Sequence, residues 1–109
     1  MPHSFDLARL FSIIEERKKQ YQENPDSSEG SYTAFLFSKG ANKIERKVHE
    51  EALETILESH DGNRDRLIEE MSDLLYHVCV LAAFHDVSHE DMMACLSARH
   101  TKQSQSQDT

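Results

Sequence analysis

The chain has 109 residues, with 12 basic (Lys and Arg) and 20 acidic (Asp and Glu) side chains and a formal net charge of −8. This length fits one small domain, and the acidic balance argues against binding nucleic-acid polymers or anionic membranes, because phosphate backbones are bound by basic clusters. No apolar stretch is long enough to span a membrane, no signal-peptide pattern opens the chain and the cysteines form no C-x-x-C pair, so we expect a soluble protein of the reducing cytoplasm.

Apolar side chains recur every three or four residues through most of the chain, which is the spacing of helices with one buried face. Ser4 is a predicted N-cap, Gly40 ends the second helix, and Ser88 opens a capping box with Asp91. The helices are predicted at 5–22, 32–39, 41–59, 64–85 and 88–99, joined by polar turns. We therefore predict an all-α fold, an antiparallel helical bundle of four to five helices, with residues 1–100 as one domain and 101–109 as a disordered polar tail.

Two of the predicted helices have long apolar faces that we expect to be buried. On the third helix the face consists of Ile44, Val48, Ala52 and Ile56, and on the fourth of Leu67, Met71, Leu74, Leu75, Val78 and Leu81. Only 38% of the residues are hydrophobic and there is no Trp, so a single chain would bury a modest core. We expect a homodimer to complete the bundle.

The same two helices have stripes of acidic residues beside their apolar faces. The residues Lys47, Glu50, Glu51, Glu54 and Glu58 fall within an arc of about 100° on the third helix. Glu70, Asp73 and His77 border the apolar face of the fourth helix in the same way. A short turn makes the two helices neighbours, so the carboxylates can face each other across a groove, where a cation would offset their repulsion. Mg²⁺ suits such a site, although acidic residues at helical spacing are usually a solvated face, here with local pairs to Lys47 or Arg46, and spacing alone does not settle the choice.

The order of these residues is similar to a known signature. Glu50-Glu51-x-x-Glu54 followed by Glu70-x-x-Asp73 resembles the E-E-x-x-E…E-x-x-D motif of the MazG-like nucleotide pyrophosphohydrolases. The segments Ser31-Tyr32-Thr33 and Leu36-Phe37-Ser38-Lys39-Gly40 upstream, with Asp73-Leu74-Leu75-Tyr76-His77 downstream, narrow the resemblance to the phosphoribosyl-ATP pyrophosphohydrolase family. His49 and Glu45 depart from the family pattern, which often has a small residue and an apolar residue there.

The resemblance implies a helical fold whose sites are completed by dimerisation. It also implies Mg²⁺-dependent hydrolysis of phosphoribosyl-ATP to phosphoribosyl-AMP and pyrophosphate, the second step of histidine biosynthesis, with Mn²⁺ as a possible substitute for Mg²⁺. By motif position, the metal ligands would be Glu51, Glu54, Glu70 and Asp73.

The remaining site residues follow from their place beside the motif. Glu54 or Glu50 is the candidate general base, and Lys43, Arg46 and Lys47 are candidate phosphate contacts. Tyr32 is a candidate substrate contact, with simple packing slightly favoured. His77 is a candidate for orienting a ligand carboxylate, and a satisfied histidine bordering the core is at least as common.

Two other functions are compatible with the sequence. One is a house-cleaning pyrophosphohydrolase of the same superfamily that acts on (deoxy)nucleoside triphosphates. The other is a non-enzymatic helical dimerisation module whose acidic stripes are only solvated surface. Substrate assays with and without Mg²⁺ distinguish all three.

Overall fold

The structure is a computed structural model that describes residues 5–28 and 31–107, and within these ranges it contains helices and no β-strand. The elements are α1 (Leu7–Glu23), a 3₁₀-helix (Pro25–Ser28), α2 (Tyr32–Lys39), α3 (Ala41–Asp61), α4 (Arg64–Phe84) and α5 (His89–Gln107). The all-α prediction is confirmed for the described residues, and all five predicted helices are present. The antiparallel bundle completed by a second chain stays a prediction, as does the division at residue 100.

The sequence signals at the helix ends are mostly where we predicted them. Gly40 has φ 86° and joins α2 to α3, a backbone conformation that glycine adopts without strain. Ser88 and Asp91 exchange the two hydrogen bonds of a capping box, 2.9 Å from the Ser88 amide to Asp91 and 3.0 Å in return. The cap of α1 is different: Asp6 accepts from the Arg9 amide at 2.9 Å, whereas Ser4 lies outside the described residues.

The core forms where α1 and α2 pack on the beginning of α3 and the end of α4. Its buried hydrophobic members are Phe11, Ile14, Ala34, Leu36, Phe37, Ile44, Cys79, Val80 and Ala83. On α3 only Ile44 of the predicted apolar face is buried. On α4 none of the six predicted residues is buried, because α1 and α2 pack against the other side of that helix, where the buried residues are His77, Cys79, Val80 and Ala83. Ile44 is fully buried, but Ile56, Met71 and Leu75 are about half exposed, so a single chain does not bury them.

The last helix is longer than predicted. It continues to Gln107 instead of ending near Arg99, because no glycine or proline interrupts it and the Thr101 hydroxyl donates to the Ser97 carbonyl at 3.1 Å. The tail that we predicted to be disordered is therefore helical as far as Gln107. The side chains from Met93 to Lys102 are all exposed.

A lysine on α1 fixes the end of α4. The Lys18 ammonium donates to the Ala83 carbonyl at 2.6 Å and to the Asp86 carboxylate at 2.7 Å. Asp86 has φ 59°, and its pKa is lowered by the hydrogen bond and the charge of Lys18. The contact ties α1 to the turn that precedes α5.

In the ranges 5–28 and 31–107, no helix combines the length and the apolar character that crossing a membrane requires.

Candidate functional site

Carboxylates from α3 and α4 meet along the hairpin. One carboxylate oxygen from each of Glu51, Glu70 and Asp73 lies within 4.8 Å of the corresponding oxygens of the other two. The turn at Gly62 sets this register: Glu51 and Asp73 are equally far from Gly62 along the chain, and so are Glu54 and Glu70. Residues at equal distance from a tight turn lie opposite each other in a helical hairpin. Three of the four predicted metal ligands are thus brought together.

The electrostatics of the cluster show like charges at close range. Burial raises the pKa of Glu70, and the hydrogen bond and charge of Glu51 raise it further. The charges of Asp73 and Glu54 act in the same direction. Glu54 is exposed and stands outside the close group of three, yet its charge reaches Glu70, so its assignment as a ligand stays a prediction.

Lys47 on α3 forms an ion pair with Glu51, a member of this cluster. Its ammonium lies 3.3 Å from a Glu50 oxygen and 3.4 Å from a Glu51 oxygen. Burial by itself lowers the pKa of Lys47, but its hydrogen bonds to Glu50 and Glu51 and the charge of Glu51 outweigh burial and raise it. Lys47 therefore stays protonated and compensates part of the negative charge.

The other residues predicted on α3 lie outside the close group of three carboxylates. Glu50 is exposed and engaged by Lys47, Lys43 is half-buried one turn upstream, and Arg46 is exposed. Glu58, which shares the acidic arc, lies 3.8 Å from Arg66 and is not part of the cluster. The roles that we predicted for Lys43, Arg46, Glu50 and Glu54 stay predictions.

An aromatic group borders the carboxylates on the side of α2. The Tyr32 hydroxyl is 2.9 Å from His77 Nε2, and the Tyr32 ring stacks on Tyr76 and Phe35 at centroid distances of 6.1 and 6.2 Å. The hydroxyl of Tyr76 is hydrogen-bonded to Thr33. Tyr32 is 47% exposed, so about half of the residue is accessible to a ligand and is not packed against the protein. The sequence reasoning missed the hydrogen bond between Tyr32 and His77.

His77 is buried and contacts Asp73 through the backbone only. Its Nδ1 lies 2.7 Å from the Asp73 carbonyl oxygen, one turn earlier on α4. The structure shows a buried histidine with hydrogen bonds at both ring nitrogens, which is one of the two alternatives, and a role in orienting the Asp73 carboxylate stays a prediction. No sequence signal distinguishes these two alternatives, because both place the histidine one turn after the aspartate.

The donor set fits a hard divalent cation. Three carboxylates supply oxygen ligands only, which Mg²⁺ and Mn²⁺ prefer, and their mutual repulsion is the cost that a bound cation relieves. The set contains neither thiolate nor imidazole, so it is not a zinc site of the usual kind.

The fold and the site together define a class: an all-helical protein with an acidic cluster between two helices and an adjacent lysine, suited to binding a cation and a phosphate group. Comparison with known proteins specifies the family. The profile of the phosphoribosyl-ATP pyrophosphohydrolase family matches residues 7–100, which contain α1 to α4 and α5 as far as His100. The chain belongs to the phosphoribosyl-ATP pyrophosphohydrolase family.

Individual relatives agree over nearly their whole length. The phosphoribosyl-ATP pyrophosphatase of Pelotomaculum thermopropionicum is 43% identical over 100 residues, which cover 91% of this chain and 96% of that protein. The protein of the same name from Clostridium acetobutylicum is 43% identical over 96 residues, or 88% and 82% of the two chains. That of Bacillus thuringiensis is 43% identical over 102 residues, or 94% and 88%. The chain is accordingly a hydrolase of a pyrophosphate bond that belongs to histidine biosynthesis.

Proposed function

We propose that this enzyme hydrolyses phosphoribosyl-ATP to phosphoribosyl-AMP and pyrophosphate with Mg²⁺ as its cofactor. The observation that carries the proposal is the close group of Glu51, Glu70 and Asp73 within the segment that matches the family. Its relatives' names supply the substrate, and the oxygen-only donor set supports the cation.

The carboxylates of the hairpin would hold the cation, with Glu54 as a further ligand beside the group of three. Bound there, Mg²⁺ would supply charge neutralisation at the phosphate oxygens during attack by water. The chain would supply the proton acceptor for that water. Glu54 is the first candidate because it stands on the same hairpin without the lysine contact that engages Glu50, and Glu50 is the second.

Basic and aromatic side chains of α2 and α3 would bind the substrate. Lys47 already shares its ammonium between two carboxylates, so a cation that takes over Glu51 would release Lys47 toward a phosphate. Lys43 and Arg46 would contact the phosphates from the preceding turn, and Tyr32 would contact the substrate beside the cluster.

A second copy of the chain would cover the exposed part of the hairpin. Six large apolar side chains there are 46–53% exposed, namely Leu53, Ile56, Leu57, Ile68, Met71 and Leu75. They lie on α3 and α4 beyond the part that α1 and α2 cover, and covering them would contribute on the order of 1 kcal/mol each. This homodimer would place the carboxylates of each hairpin next to a partner. The cytoplasmic location that the composition predicts stays a prediction.

Pyrophosphate release from phosphoribosyl-ATP tests the proposal. The purified protein should release pyrophosphate with Mg²⁺ and stop in excess chelator. Parallel reactions with dUTP and dCTP test the house-cleaning alternative, and we expect them to be slower by at least about tenfold in kcat/KM, the effect of losing contacts worth about 1.4 kcal/mol. Faster release from either deoxynucleotide would reject the proposed substrate.

A further inference from the structure

His77 is a buried polar side chain with both ring nitrogens hydrogen-bonded. It is 4% exposed, with Nδ1 2.7 Å from the Asp73 carbonyl oxygen and Nε2 2.9 Å from the Tyr32 hydroxyl. A carbonyl oxygen can only accept, so Nδ1 carries the hydrogen and donates it. In the neutral ring Nε2 is then an acceptor, which makes the Tyr32 hydroxyl the donor in the second bond.

This arrangement fixes the polarity of the Tyr32 hydroxyl. Its one hydrogen is used in the bond to α4, so the phenol oxygen can only accept a further hydrogen bond. That oxygen stands beside the candidate site, because its partner His77 is hydrogen-bonded to Asp73, a member of the carboxylate group. Consistent with this position, burial raises the pKa of Tyr32, the charge of Lys47 opposes the rise, and Glu51 and Asp73 add to it. The ring itself is half-exposed and accessible to a ligand.

We propose that His77 is a positioning residue that presents the phenol oxygen of Tyr32 to the site as a fixed hydrogen-bond acceptor. The partner is an O–H donor, either a ribose hydroxyl of the substrate or the attacking water. The inference rests on the proposed function, because it takes Tyr32 as a substrate contact. It adds to that function a residue that touches neither the substrate nor the cation.

A double-mutant cycle in kcat/KM tests this coupling. Tyr32→Phe removes the acceptor, and His77→Asn keeps a donor near the Asp73 carbonyl but removes the acceptor for the Tyr32 hydroxyl. Each should lower kcat/KM for phosphoribosyl-ATP about tenfold, the effect of losing one hydrogen bond. The double variant should be no slower than either single variant. His77→Gln, whose side-chain oxygen can replace Nε2 as the acceptor, should keep most of the wild-type activity that His77→Asn loses. A fall in kcat/KM through KM identifies the ribose hydroxyl as the donor, and a fall through kcat identifies the water.

Tyr76→Phe is the matched control. It removes a phenol hydroxyl from the same aromatic group, but that hydroxyl is hydrogen-bonded to Thr33. We expect it to lower the melting temperature and to leave kcat/KM unchanged. If Tyr76→Phe lowers kcat/KM as much as Tyr32→Phe, or if the two losses of the cycle multiply in the double variant, His77 acts through general packing and the inference is overturned.

The tautomer of His77 gives a readout that needs neither variants nor turnover. Nitrogen-15 NMR of the wild-type protein should show the hydrogen on Nδ1 and a bare Nε2, and a hydrogen on Nε2 would overturn the inference even if the variants failed to fold. A wild-type protein that releases no pyrophosphate would overturn the proposed function and the role of Tyr32 with it. An active wild type with multiplicative losses overturns the positioning role alone.

Discussion

Replacing Glu70 by glutamine separates a metal site from a solvated acidic face. The change keeps the shape of the side chain while it removes one of the proposed metal ligands and one member of a group of like charges. Loss of a carboxylate ligand should lower kcat by at least about 100-fold, which corresponds to about 2.7 kcal/mol of transition-state stabilisation. The assay is pyrophosphate release at saturating phosphoribosyl-ATP over a range of Mg²⁺ concentrations.

The same variant has a distinctive effect on stability without the cation. Burial and the charges of Glu51, Asp73 and Glu54 raise the pKa of Glu70, so the folded state holds this proton more tightly than the unfolded state does. The protonated Glu70 therefore stabilises the folded state. This contribution is complete below the ordinary glutamate pKa of 4.5 and is lost as the pH rises through the raised pKa of Glu70. At neutral pH, Glu70→Gln should therefore be as stable as the wild type or slightly more stable in chelator, measured by thermal unfolding.

Glu58→Gln is the control for this experiment. Glu58 lies in the same acidic arc, but its partner is Arg66 and it lies outside the carboxylate group. Its activity should stay within about twofold of the wild type, since it removes no ligand. If Glu70→Gln is as active as Glu58→Gln, the cluster does not hold the catalytic cation.

Three further changes test the dimer, the end of α4 and the last helix. Met71→Glu puts a charge on the exposed apolar part of the hairpin and should convert a dimer to monomers in sedimentation experiments, whereas a monomeric wild type would contradict the dimer. Asp86→Asn keeps a residue that tolerates positive φ but removes the negative charge that faces Lys18. Because the pKa of Asp86 is lowered, the wild type should be the more stable protein above the ordinary pKa of 3.8, and its advantage should vanish as pH falls through the lowered value, as followed by urea unfolding. A chain ending at His100 should keep its melting temperature and its activity, and a loss of either would show that the rest of α5 packs against the protein.

Local signals were sufficient to predict the helices and most of their ends. The spacing of apolar residues sets each helix, and Gly40, Ser88 and Asp91 mark ends through bonds between residues close in sequence. The facing carboxylates were also predictable, because a short turn at Gly62 determines which residues of the two helices lie opposite each other.

The sequence could not show which part of each apolar face the chain itself covers. Met71 and Leu75 lie on the predicted apolar side of α4, whereas the buried Val80 lies on the opposite side, because the side that the chain covers depends on where α1 and α2 pack. That register is set by contacts between distant segments, and no residue spacing reports it.

The pairing of Tyr32 with His77 was beyond the sequence for the same reason. The two residues are 45 positions apart, and their hydrogen bond depends on how α2 lies across α4. Each residue was a plausible site residue by itself, but only the packed structure shows that the two are hydrogen-bonded to each other.

Phosphorus-31 NMR of the reaction mixture tests the central claim most directly, because it identifies which bond is broken. With Mg²⁺, the account predicts that phosphoribosyl-ATP is replaced by pyrophosphate and phosphoribosyl-AMP in equal amounts, without orthophosphate, and that chelation stops the change. Orthophosphate as the first product, or the same products at an undiminished rate in excess chelator, would contradict it.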